Sequence, residues 1–364
     1  MLERVVIFGG AGNMGRLIDT EAQKQGHETK IVDPKAEIQI DPEGAIAWAT
    51  VLYFSLFAKD LLSVLDQHGQ SIRPDQIVLE NTSAKTIIIE ALRELDRKGT
   101  SVCSVHPLAK HDQPPQGQKV VIMPIGAHSD KARTFAEDFY DRMDMIITYH
   151  NLKDHDPDMT PEQLPWHSIN RAHLLTFRRL GYKFAQLWNL APANAELGLA
   201  SVARTGTQDP KISATIIHNY LKTPEGKAWK ATFMGSLEEI LSTGEKGEEE
   251  LAVLLSQTNE YLREDGMDQQ MNEATTVILE GNANLRLQSI TIHSPSNEPG
   301  VLAAIATAFA ENNVNLNLVR NRPPNEGVEL VFGVDRNTDL STLNQAIIRI
   351  KELGFEVRET HKEK

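Results

Sequence analysis

Cysteine is nearly absent from this 364-residue sequence, which holds a single one, Cys103. One thiol cannot form a disulfide within the chain or a cysteine metal cluster, and the scarcity is typical of a reducing compartment. Long apolar runs are also missing, since the stretch 51–57 is far shorter than the ~20 residues that span a bilayer, and the first strand-like run starts near Arg4 without a signal peptide. We therefore expect a cytoplasmic protein with no membrane partner.

Positive charge is in short supply as well. The 37 Lys and Arg residues are outnumbered by 50 Asp and Glu, so the formal net charge is −13. This balance opposes binding to a phosphate backbone, and we expect no nucleic-acid partner. Hydrophobic residues make up 40% of the chain, which is typical of a folded globular protein, and the length favours two to three domains at roughly 150 residues each.

Residues 1–149 alternate short apolar β-branched runs with helical periodicity. The segment begins with a predicted strand, a glycine-rich turn, a helix and a second strand, which together form a βαβ unit. Strands separated by helices indicate an α/β domain with a mostly parallel, doubly wound Rossmann sheet. The strands are predicted at 4–8, 29–33, 50–54, 76–79, 101–105 and 119–123, and the helices include 16–25, 59–67 and 85–98.

Two further regions follow, each with its own sequence pattern. Residues 150–283 carry only helical patterns, starting at Thr160 as the N-cap before Pro161 and running past Trp188. Their apolar faces exceed what loose helices can bury, which predicts an all-helical dimerisation domain shared between subunits. From residue 284 to 364 the predicted order is βαββαβ, the ferredoxin-like arrangement.

The segment from Gly10 to Gly15 matches the pattern G-x-G-x-x-G between a strand and a helix. Such glycines suit a tight turn, a close approach of the main chain to a pyrophosphate, and the packing of helix on sheet. The helix N-terminus favours the anion, and a carboxylate after the second strand can bind ribose hydroxyls while disfavouring a 2′-phosphate. We predict NAD as cofactor, bound by Gly10, Ala11, Gly12, Asn13, Met14, Gly15, Asp33 and Ser55.

Candidate catalytic residues follow two predicted strands. His106 comes directly after the strand 101–105, and Ser83 follows the strand 76–79. A neutral imidazole at this edge of the sheet can take a proton from a substrate hydroxyl as hydride leaves the same carbon. A third group with His155 and His167 opens the helical region, but it matches no standard zinc pattern, so we predict no metal.

These residues together resemble the prephenate and arogenate dehydrogenase family, the nicotinamide-dependent enzymes of tyrosine biosynthesis. The resemblance covers about residues 1–280, and the remaining segment resembles an ACT domain, an amino-acid sensor. The matching motifs are the glycine segment 9–17, Ser83-Ala84-Lys85, His106-Pro107-Leu108, the segment 155–167 with its Gln163, Arg204 with Gln208-Asp209-Pro210, and, for the ACT domain, the stretch from Asn297-Glu298-Pro299-Gly300 to Arg322-Pro323.

The resemblance implies a homodimer that oxidatively decarboxylates a cyclohexadienyl substrate, either prephenate to 4-hydroxyphenylpyruvate or arogenate to tyrosine. In this scheme His106 accepts the hydrogen of the ring hydroxyl, and Ser83 helps to hold that hydroxyl. His155 lies near the nicotinamide or braces the helical wall. The expected substrate contacts are His155, Gln163, Arg204 and Lys110.

The ACT-like segment implies feedback by an aromatic amino acid bound at the turn that holds Asn297 and Gly300. Tyrosine is the effector that pathway logic favours. The run 320–323 differs from the Glu-Ser-Arg-Pro of related dehydratase sensors, so phenylalanine and the absence of an effector stay open, as does a purely dimerising role.

One position departs from the family pattern. Counting back from Arg204, the arginine that clamps the ring carboxylate falls at Glu196. At ~4 Å and an effective dielectric of about 20, one unit-charge interaction amounts to about 4 kcal/mol, so the reversal matters. Three explanations are open. Another arginine (Arg204, Arg171 or Arg178) binds the ring carboxylate, the substrate is a different cyclohexadienyl compound, or the reaction is lost. The alternatives are a dehydrogenase of 2- or 3-hydroxy acids and an idle sensor of NAD and an amino acid.

Overall fold

The computed structural model describes residues 2–109, 113–264, 288–322, 327–335 and 337–362, so Lys110 lies outside the described residues. Contacts divide the chain into two units, one of Met1–Leu190 with Leu197–Leu237 and one of Ala191–Glu196 with Glu238–Lys364. Within the described ranges, no helix has the length and apolar character needed to cross a membrane.

The first unit contains a seven-stranded sheet in the order β2-β1-β3-β4-β5-β6-β7. Strands β1 to β5 run in parallel. Strand β6 is antiparallel to β5, and β7 pairs with β6 in parallel. The expected Rossmann-like parallel core is therefore confirmed, with a reversed pair at one side. The strands are β1 Arg4–Phe8, β2 Glu28–Val32, β3 Val51–Phe54, β4 Ile77–Glu80, β5 Ser101–Leu108, β6 Lys119–Ile125 and β7 Ile146–Tyr149.

Helices cover both faces of this sheet. Because side chains alternate along a strand, each buried strand supplies apolar residues to two separate cores. Helices α1 (Asn13–Lys24) and α5 (Asp130–Asp141) pack on one face. Helices α2 (Pro42–Trp48), α3 (Ala58–His68) and α4 (Ile89–Arg97) pack on the other, which is also the face of the even-numbered residues of β4 and β5.

Between residues 151 and 264 the chain forms helices joined by short connections. The first of them packs through Leu164 against Ile216 and Tyr220. The helices are α6 Leu152–Arg179, α7 Phe184–Leu190, α8 Ala193–Thr207, α9 Pro210–Tyr220, α10 Pro224–Lys246 and α11 Glu248–Glu264.

The predicted start of α6 at Thr160 is wrong. Asn151 is the N-cap, and its side chain accepts from the amide of Lys153 at 3.2 Å. Thr160 lies inside the helix and donates its hydroxyl proton to the carbonyl of Asp156. The prolines of this segment lie within α6 because its buried face packs against other elements and outweighs the local stop signal. The helix also ends earlier than predicted, before Gly181 with φ of 75°.

The C-terminal segment has the predicted βαββαβ order and forms a four-stranded antiparallel sheet, β11-β8-β10-β9. Its two helices pack on one apolar core with the sheet. The elements are β8 Gln288–Ser294, α12 Val301–Glu311, β9 Leu316–Arg322, β10 Val328–Val334, α13 Leu340–Glu352 and β11 Glu356–Lys362. Asn297 and Gly300 lie in the exposed turn before α12, where Gly300 has φ of 101°.

Candidate active site

The glycine loop between β1 and α1 has three steric constraints. Gly9, rather than the expected Gly10, carries the turn with φ of 79°. A Cβ at Gly10 would lie 2.7 Å from the side chain of Ile31, and one at Gly15 would clash with the carbonyl oxygen of Gly9. The absence of side chains therefore lets α1 begin directly against the turn.

The N-terminus of α1 is open to an anion. Its N-cap, Gly12, offers no side-chain cap, so the first amides of the helix are left for a ligand. The Asp33 carboxylate accepts from Ala11 N at 3.1 Å and from Lys35 N at 2.8 Å, which holds it beside the loop. A helix terminus for the pyrophosphate and a fixed carboxylate for the ribose fit an NAD-type dinucleotide.

The remaining predicted cofactor contacts lie at the same edge of the sheet. Asn13 and Met14 form the first turn of α1. Ser55 follows β3, donates its amide to Phe8 O at 2.8 Å, and accepts from the side chain of Asn81 at 3.2 Å. These bonds tie the ends of β1, β3 and β4 together beneath the loop.

A buried ion pair lies between β4 and β5. Glu80 and Lys85 are fully buried, with Nζ of Lys85 2.9 Å from Oε1 of Glu80. The carboxylate also accepts from Ser104 Oγ and from Thr82 N, and Lys85 donates a second bond of 2.9 Å to Val105 O. The cation is therefore fixed against the backbone immediately before His106.

His106 lies within β5 rather than after it, because the strand continues its pairing with β6 and sets this residue opposite Val121. Its ring is buried. Nδ1 of His106 is 3.0 Å from Nε2 of His155, and Nδ1 of His155 is 2.9 Å from Oδ1 of Asp156. We call these three side chains the histidine relay.

The loop after β4 fixes the far end of the relay. Helix α4 begins at Ile89, not at Lys85 as predicted, so the amides of Lys85 and Thr86 are free to bind outside the helix. Both donate to the Asp156 carboxylate at 2.7 to 2.9 Å. Lys85 therefore binds the relay through its main chain and the strand before His106 through its side chain.

The charges of the site shift two pKa values. Burial lowers the pKa of His106 well below its ordinary 6.5, and the Lys85 cation acts in the same direction. Burial alone would raise the pKa of Asp156, but hydrogen bonds from His155 and from the amides of Lys85 and Thr86 outweigh it and lower the pKa to about 2. The relay therefore combines a neutral His106 with an ionised carboxylate at neutral pH.

Ser83 is half-buried in the loop between β4 and α4. Among the described residues its hydroxyl has no hydrogen-bond partner. Gln163 is half-buried and Arg204 is exposed, and no described hydrogen bond joins either of them to His106 or His155. The structure thus joins His106 to His155 and shows no hydrogen bond from either histidine to Gln163 or Arg204.

A second polar cluster joins α6 to α9. His167 Nδ1 is 3.1 Å from Ser213 Oγ, which also accepts from Arg171 Nε at 3.2 Å. The guanidinium donates a further bond to Gln208 O. Burial and the Arg171 cation lower the pKa of His167. Within the part of the chain that the structure describes, Arg171 forms no ion pair, so this half-buried cation is open to an anion.

Sequence reasoning missed the roles of Glu80 and Lys85 and the link from Asp156 to the loop after β4. A signal for the first existed: a carboxylate ends the apolar run 77–80, where burial demands a partner. The link to Asp156 spans 71 residues and left no local trace. Glu196, the departure from the family pattern, lies in α8 and belongs to the second unit.

Comparison with known proteins supports the resemblance. No family model matches the chain. The T-protein of Enterobacter agglomerans is 26% identical over 223 residues, which are 59% of this chain and 56% of that protein, so the match spans about half of the relative's length.

Two solved structures share the fold. Synechocystis arogenate dehydrogenase aligns with a TM-score of 0.52 and 16% identity over 72% of this chain and 99% of that one. Prephenate dehydrogenase from Aquifex aeolicus, in complex with hydroxyphenyl propionate and NAD+, aligns with a TM-score of 0.53 and 16% identity over 72% and 98%. This chain is therefore similar in fold to prephenate and arogenate dehydrogenases.

Proposed function

We propose that the protein is an NAD-dependent dehydrogenase that oxidatively decarboxylates prephenate or arogenate. The observation that carries the proposal is the histidine relay, which ends in a buried, neutral His106 on β5, at the side of the sheet where the parallel strands β1, β3 and β4 end. The fold shared with arogenate and prephenate dehydrogenases and the match to T-protein support the same chemistry.

The relay determines which nitrogen of His106 acts as the base. Asp156 is ionised, so His155 donates from Nδ1 to the carboxylate and presents Nε2 as an acceptor. His106 must then donate from Nδ1 to that nitrogen. Its Nε2 keeps the lone pair and can accept the hydroxyl proton of a substrate.

Proton removal and hydride loss occur at the same ring carbon. Bound NAD would supply the hydride acceptor, held at the open N-terminus of α1 and by Asp33. As His106 takes the proton of the ring hydroxyl, the C–O bond becomes a carbonyl. Loss of the ring carboxylate as CO2 sends the electron pair of the broken C–C bond through the ring to that oxygen, which takes up a proton and becomes the phenol of the aromatic product. Ser83, with its hydroxyl unused by described residues, would donate to the same oxygen.

Arg171 is our candidate for the substrate's carboxylate anchor, one of the alternatives that Glu196 leaves open. Bonds to Ser213 and Gln208 hold its guanidinium, whereas Arg204 is exposed. A fixed planar cation can bind a carboxylate through two parallel N–H groups. Gln163 and His155 lie on the same helix as Arg171.

The assembly that fits this chain is a cytoplasmic homodimer in which the helical segment 150–283 is shared. Large apolar side chains of α6 and α7 and the turn between them are exposed, with Leu180 at 65% and Leu190 at 84% exposure. Several exposed large apolar side chains on neighbouring helices are typical of subunit interfaces. We further propose that residues 284–364 are an ACT-like domain that binds tyrosine at the turn with Asn297 and Gly300.

The test is NADH formation by the purified chain with NAD and either prephenate or arogenate. We expect turnover with one of them and its collapse in His106→Asn, which keeps a polar side chain but has no basic nitrogen. NAD binding without turnover of either compound would contradict the proposal. In that case a different cyclohexadienyl substrate or a sensor role would replace it.

A further inference from the structure

A cavity of about 340 Å³ lies next to the histidine relay. Three segments form its wall: the loop after β4 from Ala84 to Ile87, the first turns of α6 around Asp156, and residues 219–225 between α9 and α10. Neither His106 nor Ser83 lines it. The cavity is therefore separate from the proposed catalytic groups and shares only the relay carboxylate with them.

One residue of the cavity wall carries a buried donor without an acceptor. Tyr220 is 1% exposed and lines the wall, and its hydroxyl has no hydrogen-bond partner among the described residues. Burial and the Asp156 carboxylate raise the pKa of Tyr220, so the group stays protonated at neutral pH. A buried polar group without a partner costs free energy, which an acceptor inside the cavity would recover.

Hydrogen bonds hold the segment of the wall between α9 and α10. Thr223 caps α10 by accepting from Gly226 N at 3.0 Å and donates to Tyr220 O at 2.8 Å. A Cβ at Gly226 would clash with the same carbonyl oxygen, so the start of α10 packs directly on the end of α9. This part of the cavity wall is thus held by backbone packing and hydrogen bonds.

The charges of the wall are balanced. Lys153 and Lys222 supply two cations, and Asp156 and Glu225 supply two carboxylates. Within the described ranges neither Lys222 nor Glu225 takes part in an ion pair, so both are open to a ligand. Ile87, Pro157 and Pro224 add apolar surface. A molecule with one carboxylate, one ammonium group and a small apolar part matches this pattern.

We propose that this cavity binds a free amino acid. The ligand carboxylate accepts from the Tyr220 hydroxyl and pairs with Lys222, and the ammonium group pairs with Glu225. The ligand also touches Thr86 and Asp156, whose mutual bond of 2.7 Å holds the relay in place. Occupancy therefore changes the orientation of His155 and, through it, the base strength of His106. This last step rests on the proposed function, whereas binding itself does not.

The binding test is isothermal titration calorimetry on the full chain without NAD or substrate. The probes are glycine, L-alanine, L-phenylalanine and L-tyrosine, with acetate and methylamine as half-ligands. We expect Lys222→Met and Tyr220→Phe to weaken the binding of the best amino acid by at least about 10-fold. Lys227→Met, in the next turn of α10 and outside the wall, is the matched control and should bind like the unaltered chain.

Two controls separate this site from others. Tyr220→Phe removes an unpaired hydroxyl, so the unliganded variant should unfold at the same or a higher urea concentration, which excludes misfolding as the cause of lost binding. Asn297→Ala should leave this binding event intact, because the turn before α12 is not part of the cavity wall.

Binding that is equal in Lys222→Met, Tyr220→Phe and the unaltered chain would overturn the proposal, as would no binding of any amino acid or equal affinity for acetate alone. If the chain turns over prephenate or arogenate, the amino acid should shift the pH profile of kcat in the unaltered chain and not in Lys222→Met. Intact binding without such a shift would overturn the coupling alone. A chain without turnover leaves the binding result valid.

Discussion

Two regions of the molecule treat polar and apolar side chains differently. One is the end of strands β4 and β5, called the sheet edge below, and the other is the helical segment after residue 150. At the sheet edge Glu80, Lys85 and His106 are buried, and each has its partners within the unit. In the helical segment, apolar side chains such as Leu180 and Leu190 face outwards, and Arg171 holds a charge without an ion pair in the described ranges.

The difference shows which region finds its bonding partners within the chain itself. A buried ion pair costs much desolvation and persists when further hydrogen bonds satisfy its atoms, as those from Ser104 and Thr82 do at Glu80. Exposed apolar helices stay in solution only when another surface covers them. The sheet edge is thus preorganised by the chain itself, and we expect the helical segment to need a substrate and a second subunit.

The largest expected contrast is in turnover. His106→Asn should lower kcat by roughly 10² to 10⁴, the contribution of a positioned general base. His167→Asn, which alters a histidine bonded to Ser213 on α9, should change KM more than kcat. Steady-state kinetics with prephenate and arogenate measures both. An equal loss of kcat in the two variants would remove the distinction between the two regions.

The next contrast is in stability. Lys85→Met leaves the buried Glu80 carboxylate without its cation and should lower the free energy of unfolding by about 3 to 5 kcal/mol. Lys24→Met removes a lysine whose side chain is 65% exposed from its pair with the mostly buried Glu21, and it should cost less than Lys85→Met, about 1 kcal/mol. Urea denaturation compares the two. A Lys85→Met chain as stable as Lys24→Met would mean that the pair is not buried as described.

Oligomeric state tests the helical side of the comparison. Leu190→Asp places a charge on an apolar residue that is 84% exposed, and we expect it to shift a dimer towards monomer. Ile38→Asp, at a residue 75% exposed in the sheet region, is the matched control and should leave the mass unchanged. Light scattering after size exclusion measures both. A monomeric unaltered chain would contradict the proposed assembly.

The pH dependence of kcat/KM tests the preorganised base. The pKa of His106 is held well below 6.5, so the neutral base persists as the pH falls through 6.5 and is lost only at lower pH. The acid limb should therefore lie below pH 6.5. Lys85→Met removes a neighbouring cation and should move that limb to higher pH. An acid limb at or above pH 6.5 in the unaltered chain would contradict this account.

The smallest effect concerns the start of α6. Asn151→Ala removes the N-cap bond and should lower the free energy of unfolding by about 1 kcal/mol. Thr160→Ala deletes only a hydroxyl bond to a carbonyl inside the helix and should cost less. The order is measured by urea denaturation, and the reverse order would restore Thr160 as the cap.

Local patterns were sufficient to predict six of the seven strands of the first sheet, the glycine loop and the βαββαβ segment, but they missed β7. Strand alternation, glycine sterics and turn residues act within a few positions, so the order of elements follows from the sequence. The same local rules erred where packing competes with them, as at Thr160, whose proline neighbours lie inside a helix held by Leu164 and its partners on α9. They also placed Lys85 in a helix that begins four residues later.

The sequence by itself determined the parallel core of the sheet, the helix N-terminus with Asp33 beside it, and the association of His106 with the strand that starts at Ser101. Only the tertiary structure joined Asp156 to the amides of Lys85 and Thr86 and put the Lys85 cation against the residue before His106. The physical reason is range: periodicity and turn chemistry are local, whereas the protonation of His106 depends on burial and on charges that lie up to 50 residues away along the chain.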